Sequence, residues 1–219
     1  MTETTEETAL RRAIIDACLE MNAMGLNQGT SGNISVRYGQ TMLISPSAIK
    51  YDRMQPDMIA TLPIEGEYGT WDGPLKPSTE WRFHLDILRK RPEVGAIVHL
   101  HSPFATILAI LREPIPACHY MIAAFGGDDI RCSGYACYGT KALSDEALLA
   151  LKDRNGCLLA NHGMIAVGPT LDKAIWMAIE LETIAKQYYH AKLLGEPVIL
   201  TERDLEETRI NFATYGLQE

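Results

Sequence analysis

The 219-residue sequence has no C-x-x-C pair: its five cysteines, Cys18, Cys118, Cys132, Cys137 and Cys157, are odd in number and scattered. Neither a disulfide framework nor a thiolate zinc site is indicated, and a reducing cytoplasm is the expected compartment. No apolar run approaches the roughly 18 residues of a membrane span. Lysine and arginine form no run longer than Arg89-Lys90-Arg91, and the formal net charge is -8. That balance argues against nucleic acid or an anionic membrane as the main partner and favours a small ligand. The start, Met1-Thr-Glu-Thr-Thr-Glu-Glu7, is acidic and leads directly into a helical pattern, unlike a targeting segment.

The length suits one domain, residues 1–219, able to bury most of its apolar surface without staples. Leu10, Ala13, Ile14, Ala17, Cys18 and Met21 fall at helical spacing, with Thr4-x-x-Glu7 as a capping box and Gly25 as a stop. Short strands are expected at 34–37, 42–45 and 58–61, separated by residues that favour turns. Ser78 reads as the cap of a helix running to Arg91, and Ser102-Pro103 opens another through Leu111. A long helix is expected from near Thr170 to Gly195, and a last one at about 202–213. Strand clusters mixed with helices, without regular βαβ repetition, indicate an α/β (α+β) fold with a central, mainly antiparallel sheet flanked by helices.

His99-Leu100-His101 ends the apolar run that begins at Gly95. Residues two apart on a strand project to one face, so both imidazoles could close on one metal ion. A third imidazole, His162, lies between two more apolar runs, 157–160 and 164–167, which read as strands flanking a tight loop. Three histidines with a coordination position left over resemble a catalytic metal site more than a closed structural one. The plainer alternative is a satisfied core histidine at 99 and a loop histidine at 162.

Three hydroxyl-rich turns accompany the histidines. Gly29-Thr-Ser-Gly-Asn33 precedes a strand, Ser45-Pro46-Ser47 follows one, and Ser78-Thr79 sits where a helix is expected to begin. Converging backbone N–H groups at such turns hold phosphate well, although the first is equally an ordinary hairpin turn. Glu80 falls in the first turn of the same helix, where a carboxylate simply complements the dipole or, alternatively, completes a metal site and acts as a base.

Taken together, Gly25-Leu-Asn-Gln-Gly-Thr-Ser-Gly-Asn-Ile-Ser-Val-Arg37, Pro77-Ser-Thr-Glu-Trp-Arg-Phe-His84, His99-x-His101, His119-Tyr-Met-Ile-Ala-Ala124, Tyr138-Gly-Thr140 and Asn161-His-Gly163 resemble the class II aldolase/adducin family. The likeness runs in order from about residue 8 to Thr214-Tyr-Gly-Leu217. It implies a Zn2+ ion held by His99, His101 and His162, with Glu80 completing the resting site. It also implies a substrate phosphate held by Thr30, Asn33, Ser47, Ala48, Ser78 and Thr79. The implied activity is reversible cleavage of a ketose 1-phosphate, with L-fuculose 1-phosphate in fucose metabolism as the leading substrate. The products would be dihydroxyacetone phosphate and an aldehyde, here L-lactaldehyde. Glu80 would move the proton at C3 and Tyr120 the proton on the aldehyde oxygen, from across a subunit boundary. Tyr215 and Phe212 would close over the aldehyde side, which Tyr138 also faces. The implied assembly is a homotetramer.

The chain departs from close relatives at three of these positions. Ser47-Ala48 stands where they carry Thr-Gly, and Tyr138 replaces a phenylalanine. Other members of the family act on 5-deoxypentulose or methylthioribulose 1-phosphates, and these share the glutamate and the histidines. Pentulose 5-phosphate 4-epimerases usually have aspartate at the position of Glu80, while adducin-like members bind proteins and lack parts of the metal set.

Overall fold

A computed structural model describes residues 5–212. The thirteen elements used below, in chain order, are α1 (Thr5–Ala23), β1 (Asn33–Tyr38), β2 (Thr41–Ile44), β3 (Ala60–Pro63), α2 (Trp81–Lys90), β4 (Ala96–Leu100), α3 (Pro103–Leu111), β5 (Ile115–Pro116), β6 (Asp129–Ile130), α4 (Lys141–Ala150), β7 (Gly156–Leu159), β8 (Gly163–Gly168) and α5 (Leu171–Leu194). A final helix, α6 (Glu202–Phe212), follows. Six strands form one sheet in the order β3-β2-β1-β4-β8-β7, and every neighbouring pair in it is antiparallel.

Alternation along the central strands explains how this sheet carries both a core and a site. Ile34, Val36, Val98, Leu100, Met164 and Ala166 face one layer, shared with α1, α3 and α5. Ile97, Ile165 and Val167 face the other, shared with α2 and α4 through Phe83, Leu85, Leu143 and Ala147. Register pairs Asn33 with His99 and Ser35 with Ile97. A buried polar strip of Asn33, Ser35 and His99 therefore lies on the α2 side of an otherwise apolar sheet.

Three expectations from sequence shift in the structure. The helix α2 begins at Trp81, and Ser78 does not cap it: its Oγ instead accepts the Glu80 N–H at 3.3 Å, within a turn closed by Trp81 N to Ser78 O. Glu80 thus sits at the helix boundary, not inside the first turn. The third strand starts at Ala60, two residues late, because Pro56–Met58 wind into a 3-10 turn. Arg11 from α1 binds the Pro56 and Ile59 carbonyls of that turn. The third shift is an element that was missed: α4, capped by Thr140 Oγ1 accepting from Leu143 N at 3.2 Å. The sequence did contain its signal, in Leu143, Ala147 and Ala150 along one stripe behind a threonine. Helices α3 and α5 have the expected limits, with Ser102, Thr170 and Gly195 at their boundaries. Thr4, half of the expected capping box, lies outside the described residues.

Candidate active site

Strand β4 ends at Leu100, so His101 stands just past it while His99 remains within it. The tight β7–β8 connection brings His162 alongside, where Asn161 takes a left-handed conformation at φ 54°. Gly163 makes this approach feasible, since a Cβ there would lie 2.3 Å from Leu100 O and 2.9 Å from His101 Cδ2. His99 Nε2 lies 3.0 Å from His101 Nε2 and 3.1 Å from Glu80 Oε2, and His162 Nε2 lies 3.2 Å from Glu80 Oε1. The three imidazole rings meet edge to face with centroids 4.8 to 4.9 Å apart.

This donor set fits a metal ion. One ligand atom from each of Glu80, His99, His101 and His162 falls within 4.8 Å of the other three. His99 Nδ1–H donates to Met164 O at 2.8 Å, which leaves the Nε2 lone pair aimed at the common point. Glu80 Oε1 is buried and accepts no hydrogen bond, an orphan that a cation would satisfy. Burial works against ionising Glu80, but His99 and His162 outweigh it and hold the carboxyl well below the ordinary carboxylate range. Burial, then repulsion from His99 and His162, pulls the His101 imidazole down to about 4, which favours the neutral form that binds metals.

The turns expected at a phosphate are arranged as follows. An isolated antiparallel bridge pairs Pro46 with Pro77, with Ser78 N donating to Ser45 O at 3.0 Å and Ser47 N to Lys76 O at 3.1 Å. Ser47 and Ala48 are thereby set beside Ser78 and Thr79. Ala48 is left-handed at φ 58°, a conformation that glycine adopts more readily than alanine. Thr30 is exposed on the neighbouring loop. Asn33 is buried, and its amide is engaged by Glu80 and by His84.

A cavity of about 360 Å³ is lined by three of the four ligand candidates, Glu80, His101 and His162, together with Ser31, Thr79, Tyr135, Ala136, Tyr138 and Asn161, while His99 is buried behind them. Tyr138, expected on the aldehyde side, lines this cavity and is exposed. Tyr120 and Phe212 are elsewhere. They line a larger cavity of about 940 Å³ between the 120–125 turn, α5 and α6, which contains none of the four ligand candidates. Donor chemistry, not size, marks the smaller cavity as the candidate site. Tyr215 lies outside the described residues. Sequence reasoning left His84 and Tyr135 unassigned, although His84, four residues after Glu80, belongs on the same helical face.

Comparison with known proteins agrees with this geometry. The chain is 51% identical over 208 residues to the 5-methylthioribulose-1-phosphate/5-deoxyribulose-1-phosphate aldolase of Rhodospirillum rubrum, spanning 95% of this chain and 93% of that protein. It is 44% identical over 214 residues to the L-fuculose phosphate aldolase of Escherichia coli K12, spanning 97% and 98%. Among solved structures, an L-fuculose 1-phosphate aldolase superposes with a TM-score of 0.88 at 39% identity, covering 93% of this chain and 95% of that one. Fold and site together define a lyase of the metal-dependent class II aldolase type. More particularly, the chain belongs to the family described as Class II Aldolase and Adducin N-terminal domain, whose pattern matches residues 12–189.

Proposed function

We propose that the protein is a Zn2+-dependent aldolase that cleaves a 5-deoxypentulose 1-phosphate between C3 and C4, releasing dihydroxyacetone phosphate and a two-carbon aldehyde. The observation that carries the reaction is the convergence of Glu80, His99, His101 and His162, three of which line a cavity that also includes Ser31 and Thr79 of the hydroxyl-rich turns. The 51% identical relative supports the pentulose phosphate as substrate. L-fuculose 1-phosphate, giving L-lactaldehyde, is the second reading, favoured by the relatives at 44% identity and the structural neighbour at 39%.

In this reading His99, His101 and His162 hold the ion, which when bound supplies Lewis-acid polarisation of the ketose oxygens. Thr30, Asn33, Ser47, Ala48, Ser78 and Thr79 orient the phosphate with hydroxyl, amide and backbone N–H donors. The C4 hydroxyl loses its proton as the C3–C4 bond breaks, and the electron pair of that bond is left on the dihydroxyacetone phosphate half. Glu80 delivers a proton to C3; in the condensation direction the same carboxylate removes it. Burial and the neighbouring imidazoles pull the Glu80 carboxyl in opposite directions.

Tyr120 is proposed to serve the aldehyde oxygen of a neighbouring copy, with Tyr138, Phe212 and Tyr215 shaping that side. Because Tyr120 and Glu80 line different cavities within one chain, this role requires a neighbouring copy, as in a homotetramer. Among the described residues no helix is long and apolar enough to cross a membrane. The reading is tested by incubating Zn2+-loaded protein with 5-deoxyribulose 1-phosphate and L-fuculose 1-phosphate, with and without chelator, and following dihydroxyacetone phosphate. Chelator-sensitive release, faster from the pentulose, is expected; faster release from fuculose phosphate selects the second reading, and release from neither overturns both.

A further inference from the structure

His84 is fully buried on α2, stacks on Phe83 at 4.6 Å between ring centroids, and has no part in the chemistry above. Its two ring nitrogens nevertheless connect it to Glu80. Nδ1 lies 2.7 Å from Ser35 Oγ, Nε2 lies 2.5 Å from Asn33 Oδ1, and Asn33 Nδ2 donates to Glu80 Oε2 at 2.9 Å.

The direction of every bond in this row follows from the chemistry of its ends. An ionised Glu80 only accepts, so the Asn33 amide must turn its NH2 toward it and its oxygen toward His84. A carbonyl oxygen also only accepts, so His84 must carry its proton on Nε2. Full burial disfavours a charged imidazole, so His84 holds one proton, and Nδ1 accepts from the Ser35 hydroxyl. The row then reads Ser35 O–H to His84, His84 Nε2–H to Asn33, and Asn33 N–H to Glu80, with no donor facing a donor.

We infer that His84 is a positioning residue: through its Nε2–H it locks the Asn33 carboxamide in the one orientation that presents an N–H to Glu80. Without that lock the amide is free to turn its oxygen toward the carboxylate, which would repel Glu80 from the histidine cluster. The inference rests on Glu80 working within the metal site, and its tests do not need the substrate to be known.

Histidine-selective 15N labelling of the wild-type protein reads the tautomer directly, and His84 is expected as the Nε2–H form; an Nδ1–H form overturns the inference. The paired variants are His84→Gln, whose amide nitrogen can occupy the Nε2 position, and His84→Asn, which reaches only the Nδ1 position. In chelator competition His84→Asn is expected to weaken Zn2+ binding by about 10- to 100-fold, while His84→Gln stays within about threefold of wild type. Turnover, measured separately, should fall through kcat in the asparagine variant and recover in the glutamine variant. Equal losses in the two variants would reduce His84 to packing, and wild-type Zn2+ affinity in His84→Asn would refute the lock. If neither variant folds, the wild-type tautomer decides. If the wild type cleaves no ketose phosphate, the functional reading fails while the tautomer and affinity results still stand or fall alone.

Discussion

Replacing Glu182 by alanine should loosen the segment that carries His101. Glu182 projects from α5 and is buried; its Oε2 accepts from Ser102 Oγ at 2.7 Å and Ala105 N at 2.8 Å, and its Oε1 from Phe104 N at 2.9 Å. Ser102 makes no side-chain cap of its own, so this distant carboxylate satisfies the first N–H groups of α3, one residue after a ligand candidate. A hydrogen bond to a charged group contributes about 1.5 to 3 kcal/mol net, and loss of a helix cap costs about 1 to 2. The three bonds do not add in full, because they share one carboxylate whose own burial is costly. A net loss of about 3 kcal/mol is expected, equal to a fall of roughly 6 to 12 °C in melting temperature for a chain of this size. Urea unfolding of the metal-free protein measures it, and amide exchange at Phe104 and Ala105 should rise in parallel. Glu182→Gln, which keeps one acceptor, should lose about half as much. A loss under about 1 kcal/mol for the alanine variant would show that water or a neighbour replaces the carboxylate, and would refute the capping argument.

Other expectations follow from single contacts. Ala48→Gly relieves a left-handed alanine, a strain of about 1 to 2 kcal/mol partly offset by glycine's greater chain entropy, so a stability gain of about 0.5 kcal/mol should appear in urea unfolding. Gly163→Ala places a Cβ 2.3 Å from Leu100 O, and a loss of about 2 kcal/mol should accompany weaker Zn2+ retention in chelator competition. Burial works to raise the Asp86 carboxyl, but hydrogen bonds from Tyr68, Ser144 and Arg82 outweigh it and hold it below its ordinary value. Its contribution is therefore present above the unfolded carboxylate range and lost as pH falls, so the urea midpoint should drop between about pH 5 and 3, less steeply in Asp86→Asn. A parallel decline in that variant would remove Asp86 as the cause.

Much of this site was legible because a strand's period of two and the cap and stop residues of helices are local signals. His99 needed only the alternation of β4, and α3 and α5 announced their limits through Ser102-Pro103, Thr170 and Gly195. Glu80 could be matched by resemblance but not by spacing, since only the packing of α2 on the sheet brings it to the histidines. The Ser78 cap failed for a local reason: its hydroxyl is used inside the turn before the helix. Asn33 and His84 were hidden differently. Their partners are 47 to 51 residues apart in sequence, so nothing short of the β1–α2 packing reveals that they meet. Tyr120 illustrates the limit of one chain, because its proposed role depends on a surface supplied by another copy.

The central claim is that Glu80 exchanges a proton with the hydroxymethyl carbon of dihydroxyacetone phosphate, the carbon that becomes C3 of the ketose. It can be tested without knowing the aldehyde, by incubating Zn2+-loaded protein with dihydroxyacetone phosphate in D2O and following that carbon by proton NMR. The wild type should replace one of its two hydrogens with deuterium, a chelator should stop the exchange, and Glu80→Gln should slow it by at least about 100-fold while retaining its fold. Exchange that continues undiminished in Glu80→Gln, or that never occurs in the metal-loaded wild type, would contradict the account.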